Sequence, residues 1–259
     1  MSTHTDRLGT SERAVRRRLD RVTDPELDES IVALDYVDEI AVEGRQVRVA
    51  FTLPTAWCSP AFAWMMATDA REAVEALPGV DRARIRLREH LHEMEINEGV
   101  NEGLAFAEAF PDADGGVAEV RATLDAKARL ARQYDAVEAL LEAGLDPRQI
   151  ATLEFTDLWI DDPAVAFVRE RSVGVSVAAD PVESYLEKAR ETGLVADDHP
   201  ELFRTPEGDP IPVDRFELIQ HRCRLATVNM GGQGSVCDAL NEARRAENRP
   251  PLSPEEHIP

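Results

Sequence analysis

Between residues 46 and 87 the hydrophobic period changes twice, and this double change restricts the fold more than any other feature of the chain. Residues 46–53 alternate, with Val47, Val49 and Phe51 set against Arg48 and Ala50, as in a strand with one buried face. Phe62, Met65, Met66, Ala70, Ala73, Val74 and Leu77 then recur at helical spacing. Ser59-Pro60 supplies a start signal, an N-cap followed by proline at the first helical position, and Pro78-Gly79 supplies the stop. Residues 80–87 alternate again, Val80, Arg82, Arg84 and Arg86 against Ala83, Ile85 and Leu87. An earlier strand at 36–42 is joined to the first by Glu43-Gly44-Arg45. A short helix at 10–21 precedes both and ends at Thr23-Asp24-Pro25, because the residue before a proline is disfavoured in a helix. The order helix, strand, strand, helix, strand predicts a compact α/β unit.

Beyond it, residues 89–110 read as partly helical and 111–116, Pro-Asp-Ala-Asp-Gly-Gly, as a linker. A long amphipathic helix is expected over 117–143, stopped by Gly144 and Asp146-Pro147, with shorter helices through 148–192. Residues 203–213 read as a turn between short extended pieces. Residues 218–228 alternate so that Ile219, His221, Cys223, Leu225 and Thr227 would share one strand face. Gly231-Gly232-Gln233-Gly234 then reads as a loop, Ser235 as an N-cap and 236–246 as the last helix. The expected organisation is a flexible start (1–10), an α/β domain (11–110), a mostly helical region with a short sheet element (117–247) and a flexible tail (248–259).

The formal net charge is -21. Such a surface repels phosphate backbones and anionic lipid, so neither nucleic acid nor a membrane is an expected partner. Lysine occurs only at Lys127 and Lys188, and arginine supplies the remaining positive charge. An acid-rich, lysine-poor composition is that of a salt-adapted protein whose acidic face stays hydrated. No run approaches the roughly 18 apolar residues of a membrane span, and residues 1–18 lack the apolar stretch of a signal peptide, which makes the cytoplasm the expected location. Cys58, Cys223 and Cys237 form no CxxC pair and are too few for a disulfide framework, so reduced thiols are expected.

Those thiols carry the chemistry. Cys58 precedes the Ser59-Pro60 helix start, where amide donors and the positive end of the helix dipole favour a thiolate, the form that ligates soft metals or attacks an electrophile. Cys237 is expected at a second helix start, behind the glycine loop. Cys223 with His221 on one strand face, and Cys237 folded back by that loop, would make a Cys, Cys, His metal set with Cys58 as a further partner. Unrelated thiols in separate pockets are the plain alternative. His90 and His92 with Glu89, Glu93 and Glu95 form a second cluster, readable as metal ligands or as solvated surface. The glycine loop lacks the GKS/T ending of a phosphate-binding loop, and no GxSxG elbow is present.

Residues 11–90 resemble the SufT/PaaD-like, or MIP-eighteen, iron-sulfur assembly family. The resemblance rests on Val22-Thr23-Asp24-Pro25-Glu26-Leu27, Ser30-Ile31-Val32-Ala33-Leu34, the strand at 47–53, Thr55-Ala56-Trp57-Cys58 and Ala76-Leu77-Pro78-Gly79-Val80. It implies an α/β domain that works in cluster assembly or carriage, with Asp24, Glu26, Thr55 and Cys58 at the functional site and an iron-sulfur cluster or iron as transient cargo. Many members have proline next to that cysteine, whereas Trp57 and Ser59 flank it here. The whole chain, including Ile96-Asn97-Glu98-Gly99-Val100 and Cys237, is similar to longer assembly-factor-like proteins associated with bacterial multicomponent monooxygenases.

The expected protein therefore binds iron or a cluster through Cys58, Cys223, Cys237 and His221 and matures a client metalloprotein, without being an enzyme in the turnover sense. Its partners would be the client or the assembly machinery, with room for a homodimer. Two other classes compete: a thiol-dependent enzyme using Cys58 or Cys237 with His221 or His90 as base, and a metal-free adaptor.

Overall fold

A computed structural model describes residues 10–113, 116–161, 163–194 and 200–247. The expected flexible tail lies outside the described residues, as does all of the flexible start but Thr10. Two compact units divide the chain, one made of 1–117 and 233–259 and the other of 118–232.

In the first unit, α1 (Glu12–Leu19) starts at Ser11, whose Oγ accepts from the Ala14 amide at 3.2 Å, and buries Val15 and Leu19. Two short strands not expected from the sequence follow, β1 (Thr23–Asp24) and β2 (Glu29–Ser30), paired antiparallel around Pro25–Asp28. The main sheet has the order β3 (Val37–Glu43), β4 (Gln46–Thr52), β5 (Arg82–Arg88). The β3–β4 pair is antiparallel. Strands β4 and β5 run parallel, as the intervening helix α2 (Pro60–Glu75) requires. Val47, Val49, Phe51, Ala83, Ile85 and Leu87 face the core with Ala63, Met66, Ala70 and Val74 of α2.

Helix α3 (Glu93–Glu102) closes the β5 edge with side chains in place of a fourth strand. Asn97 accepts from the Leu87 amide at 2.7 Å and donates to the Leu87 carbonyl at 2.9 Å; Asn101 does the same at Ile85, at 2.9 and 2.7 Å. The register works because four residues of helix rise about 6 Å, nearly the span of two residues of strand, about 6.6 Å. An edge that would otherwise expose unpaired amides is thereby capped. Gly99, between the two asparagines, lets the Trp64 ring of α2 approach so closely that a Cβ there would lie 2.6 Å from it. A short helix α4 (Phe106–Ala109) completes this corner, with Phe106 and Phe110 edge-on to Trp64.

The second unit contains α5 (Val117–Glu142) from its second residue onward, α6 (Pro147–Ala151), an antiparallel sheet β6 (Leu158–Trp159), β7 (Ala164–Val168), β8 (Val173–Val177), and α7 (Ala179–Glu191). It also holds the first half of α8 (Phe216–Glu247). Val137, Leu140, Ile150, Tyr185, Leu186 and Phe203 are among its core residues, and the Tyr185 hydroxyl donates to the Leu202 carbonyl at 2.6 Å.

The architecture is the expected mixed α/β fold with a largely helical later part, but three expectations there fail. The sheet element lies at 158–177, inside the stretch expected to be helical. Residues 218–228 are helix, not strand: Phe216, Ile219, Cys223, Ala226 and Met230, at steps of three and four, are the buried set. Residues 231–234 continue that helix instead of forming a loop, so Ser235 is not at a helix start and Cys237 lies deep within α8. The second unit ends at Gly232, and the second half of α8 belongs to the first unit.

Candidate functional site

Asp24 ends β1 in a tight turn that its own side chain holds. Oδ1 accepts from the amides of Glu26 at 2.9 Å and Leu27 at 3.3 Å, Oδ2 accepts from the Tyr36 hydroxyl at 3.4 Å, and the Asp24 carbonyl accepts from the Asp28 amide at 2.7 Å. Pro25 fixes the first bend, and Asp28 takes a left-handed φ of 56°. The carboxyl is buried, and desolvation raises its pKa above the usual carboxylate value against the opposing pull of the two amides. A carboxyl whose charged form is penalised by burial, held in a turn, is a candidate working group.

Cys58 stands two residues before α2. Its sulfur lies 3.2 Å from the Thr55 hydroxyl, and its amide donates to the Thr55 carbonyl at 3.4 Å, which curls Thr55-Ala56-Trp57-Cys58 into a loop. Ser59 occupies the N-cap position but makes no capping bond through its side chain. The proline after it holds Ser59 extended, and its backbone carbonyl instead accepts from Phe62 and Ala63 at 3.0 Å.

The loop after β5 is laced to the Cys58 loop. His90 is buried; its Nδ1 accepts from the His92 amide at 3.1 Å, so the ring proton sits on Nε2, which donates to the Cys58 carbonyl at 2.9 Å. The Leu91 amide donates to the Ala56 carbonyl at 2.8 Å. Glu89 reaches this arrangement through a left-handed φ of 55°, a cost that surrounding contacts must hold in place. Trp57 and Leu91 project from the two loops and Met94 from the first turn of α3, and they are 73, 71 and 75% exposed.

One face of α8 closes the site. Gln233 donates to Glu26 Oε1 at 3.0 Å, Asn241 donates to the Leu34 carbonyl at 3.0 Å, and Arg245 binds Asp35. Cys237 lies on the same face, one turn from each of the first two. It packs, with Cys58, against the first unit's core. Desolvation pushes the Cys237 thiol up to about 11, and the charges of Asp24, Cys58 and Glu26 add to the effect. Burial also raises the Tyr36 hydroxyl far above the ordinary tyrosine range, with Asp24, Cys237 and Cys58 contributing. Asp24, Glu26, Tyr36, Cys58 and Cys237 thus share one electrostatic neighbourhood, and Thr55 touches it through the Cys58 sulfur. A soft cation entering here would displace the Cys237 proton, since thiol ligands bind as thiolates.

The other expected ligands lie elsewhere. Cys223 is fully buried in the second unit, 3.5 Å from Gln133 Nε2, and burial pushes its thiol up to about 11. His221 is exposed, because two residues of helix turn a side chain about 200° away from its neighbour. The strand return that was to join Cys223, His221 and Cys237 does not form. His90 and His92 have ring centres 6.1 Å apart, with Nδ1 of His90 already accepting a bond. Among the described residues no group of three or more His, Cys, Asp or Glu side chains is spaced to hold a metal ion.

Residues 12–86 match the family described as iron-sulfur cluster assembly protein. The matched iron-sulfur assembly region holds Asp24, Glu26, Tyr36, Thr55 and Cys58, and supports a general role in cluster assembly. It stops short of His90 and Cys237, the two residues that complete the site. No curated protein matches the chain. Tyr36 as a partner of the site escaped the sequence reading, and His90 was read there as a metal ligand or a base for a thiol, not as the donor to the Cys58 carbonyl. The signal for His90 was present in part, since its place just after β5 sets it at the strand end where loops carry function.

Proposed function

We propose that this protein is an iron-sulfur assembly or carrier factor that takes a cluster, or iron, as cargo on Cys58 and Cys237 and passes it to a client metalloprotein. The observation that carries this reading is the meeting of Cys58, from the family-matched region, with Cys237, from the far end of the chain, beside the Asp24 turn. Two thiols are half of the four that commonly hold a cluster, which suits cargo in transit: the remaining ligands come from the client or from a second copy of the chain. Trp57, Leu91 and Met94 offer an exposed apolar rim beside Cys58 for that encounter. In this reading the protein works in the cytoplasm and turns over no substrate. The wider resemblance favours a multicomponent monooxygenase as the client. A thiol enzyme with His90 as base fits less well, because His90 addresses the Cys58 carbonyl and not its sulfur.

The test is anaerobic reconstitution with ferrous iron and sulfide, followed by visible absorption and iron and sulfide analysis. Cys58→Ser and Cys237→Ser should each lose most of the cargo, and Cys223→Ser should load as the parent does. Equal loading by Cys58→Ser and Cys237→Ser would overturn the reading.

A further inference from the structure

The outward face of β5 carries Arg82, Arg84, Arg86 and Arg88 and no other residue type, in a chain whose formal net charge is -21. The parallel register sets Arg48 of β4 directly beside Arg84. Like charges opposite one another weaken a sheet, so folding alone gives no reason for this arrangement. Carboxylates offset only part of it: Glu39 binds Arg88 at 2.6 Å and Glu43 binds Arg48. Arg84 and Arg86 are exposed and have no carboxylate within ion-pair reach among the described residues. Between them and α3 runs a groove of about 380 Å³, with Glu39, Arg48, Arg88 and Asn97 also in its walls.

We propose that this face docks an acidic, extended segment of a partner protein. The arginines recur every second residue, about 6.6 Å apart, and span about 20 Å. A chain of carboxylates alternating with small residues has the same repeat and reach, whereas a compact polycarboxylate would meet only two of the guanidinium groups. Single-stranded nucleic acid has a comparable charge spacing but is held mainly by base stacking on aromatic rings, and the groove is lined by none. The row ends at Arg88, two residues before His90, so the bound segment would run toward the Cys58 loop. The docking face is independent of the thiol site and of any cargo on it.

The experiment measures fluorescence anisotropy of a labelled peptide of roughly eight residues alternating glutamate and serine, with the full-length protein. The expected result is saturable binding that weakens with added salt and falls about tenfold in Arg84→Ser/Arg86→Ser, two exposed ion pairs being lost. Arg45→Ser, at the hairpin turn where Arg45 already pairs with Asp81 at 2.6 Å, should bind as the parent does. Thermal melting of the double variant should be unchanged or raised, since repulsion is relieved. No saturable binding, or equal binding by the double variant, overturns the proposal. Tighter binding of a thymidine oligonucleotide would assign the face to nucleic acid, and parent-only dimers in sedimentation would assign it to a second copy; either also overturns it.

Discussion

His90 donates its Nε2 proton to the carbonyl of Cys58 across 2.9 Å, so a residue beyond the family-matched region fixes the backbone of the cysteine inside it. Helix α3 follows directly and is anchored to the β5 edge by Asn97 and Asn101, which makes the rigid sheet the reference for where Cys58 sits.

His90→Ala should therefore cost about 1–3 kcal/mol, the penalty of an unpaired buried carbonyl, and lower iron loading. His90→Gln, which can still donate, should recover part of both. Urea unfolding and iron analysis on the same preparations check this, and a variant that loses stability but loads fully would make His90 purely structural.

Asp24→Asn keeps an oxygen for the Glu26 and Leu27 amides and removes a buried charge. Because burial raises the carboxyl pKa in the folded state, ionisation at neutral pH works against folding, and the Asn variant should be at least as stable as the parent. Asp24→Ala, which drops the turn bonds, should lose about 1–3 kcal/mol. If loading falls in the stable Asn variant, the charge itself serves the cargo; unimpaired loading there would confine Asp24 to its turn.

The thiols of Cys223, buried, and Cys237, half-buried, give a pH dependence of definite sign. Cys223 moves from 9.0 to about 11 on folding, so between these values the unfolded chain loses a proton that the folded one keeps. Its contribution is intact below pH 9 and lost as pH rises toward 11, by about 2–3 kcal/mol. Cys223→Ala should flatten that part of the alkaline limb in denaturant titrations. Cys237, also near 11, should react with iodoacetamide slowly at neutral pH and progressively faster from pH 9 upward, read by mass spectrometry of the labelled peptide.

Two helical glycines should respond oppositely to alanine. Gly99→Ala would press a methyl against Trp64 and should destabilise by about 1–3 kcal/mol. Gly232→Ala, in α8 with open space around it, should stabilise by about 1 kcal/mol. Melting temperatures of both variants decide it.

The first unit was legible because its periods are nearly pure: Val47, Val49 and Phe51 alternate with Arg48 and only the buried Ala50 blurs the pattern, and Pro60, Pro78 and Gly79 punctuate α2 close to where the structure does. Residues 218–228 were not, because two patterns share the same letters. Ile219 and Cys223 satisfy both a period of two and a helical one. His221 and Leu225 tipped the reading toward strand although both are exposed. Within the site, Asp24, Thr55 and Cys58 could be found locally. Cys237 was singled out for the wrong reason, as a helix start, because its pairing with Cys58 depends on a long-range return of the chain that no local signal announces. Tyr36 acts through a bond to a carboxylate, which leaves no spacing to read, and the spacing that singled out His90 pointed to a metal or a base where the residue instead bonds to backbone.

That long-range return sets an order of events during synthesis. Cys58 leaves the ribosome before any of the second unit exists, and Cys237 comes only after all of it has been made. A nascent chain therefore presents a lone thiol and an open Asp24 turn, with no partner sulfur to complete the grip. In the proposed reading, iron met at that stage would find only weak purchase, and a grip by two thiols would form only once α8 has been made.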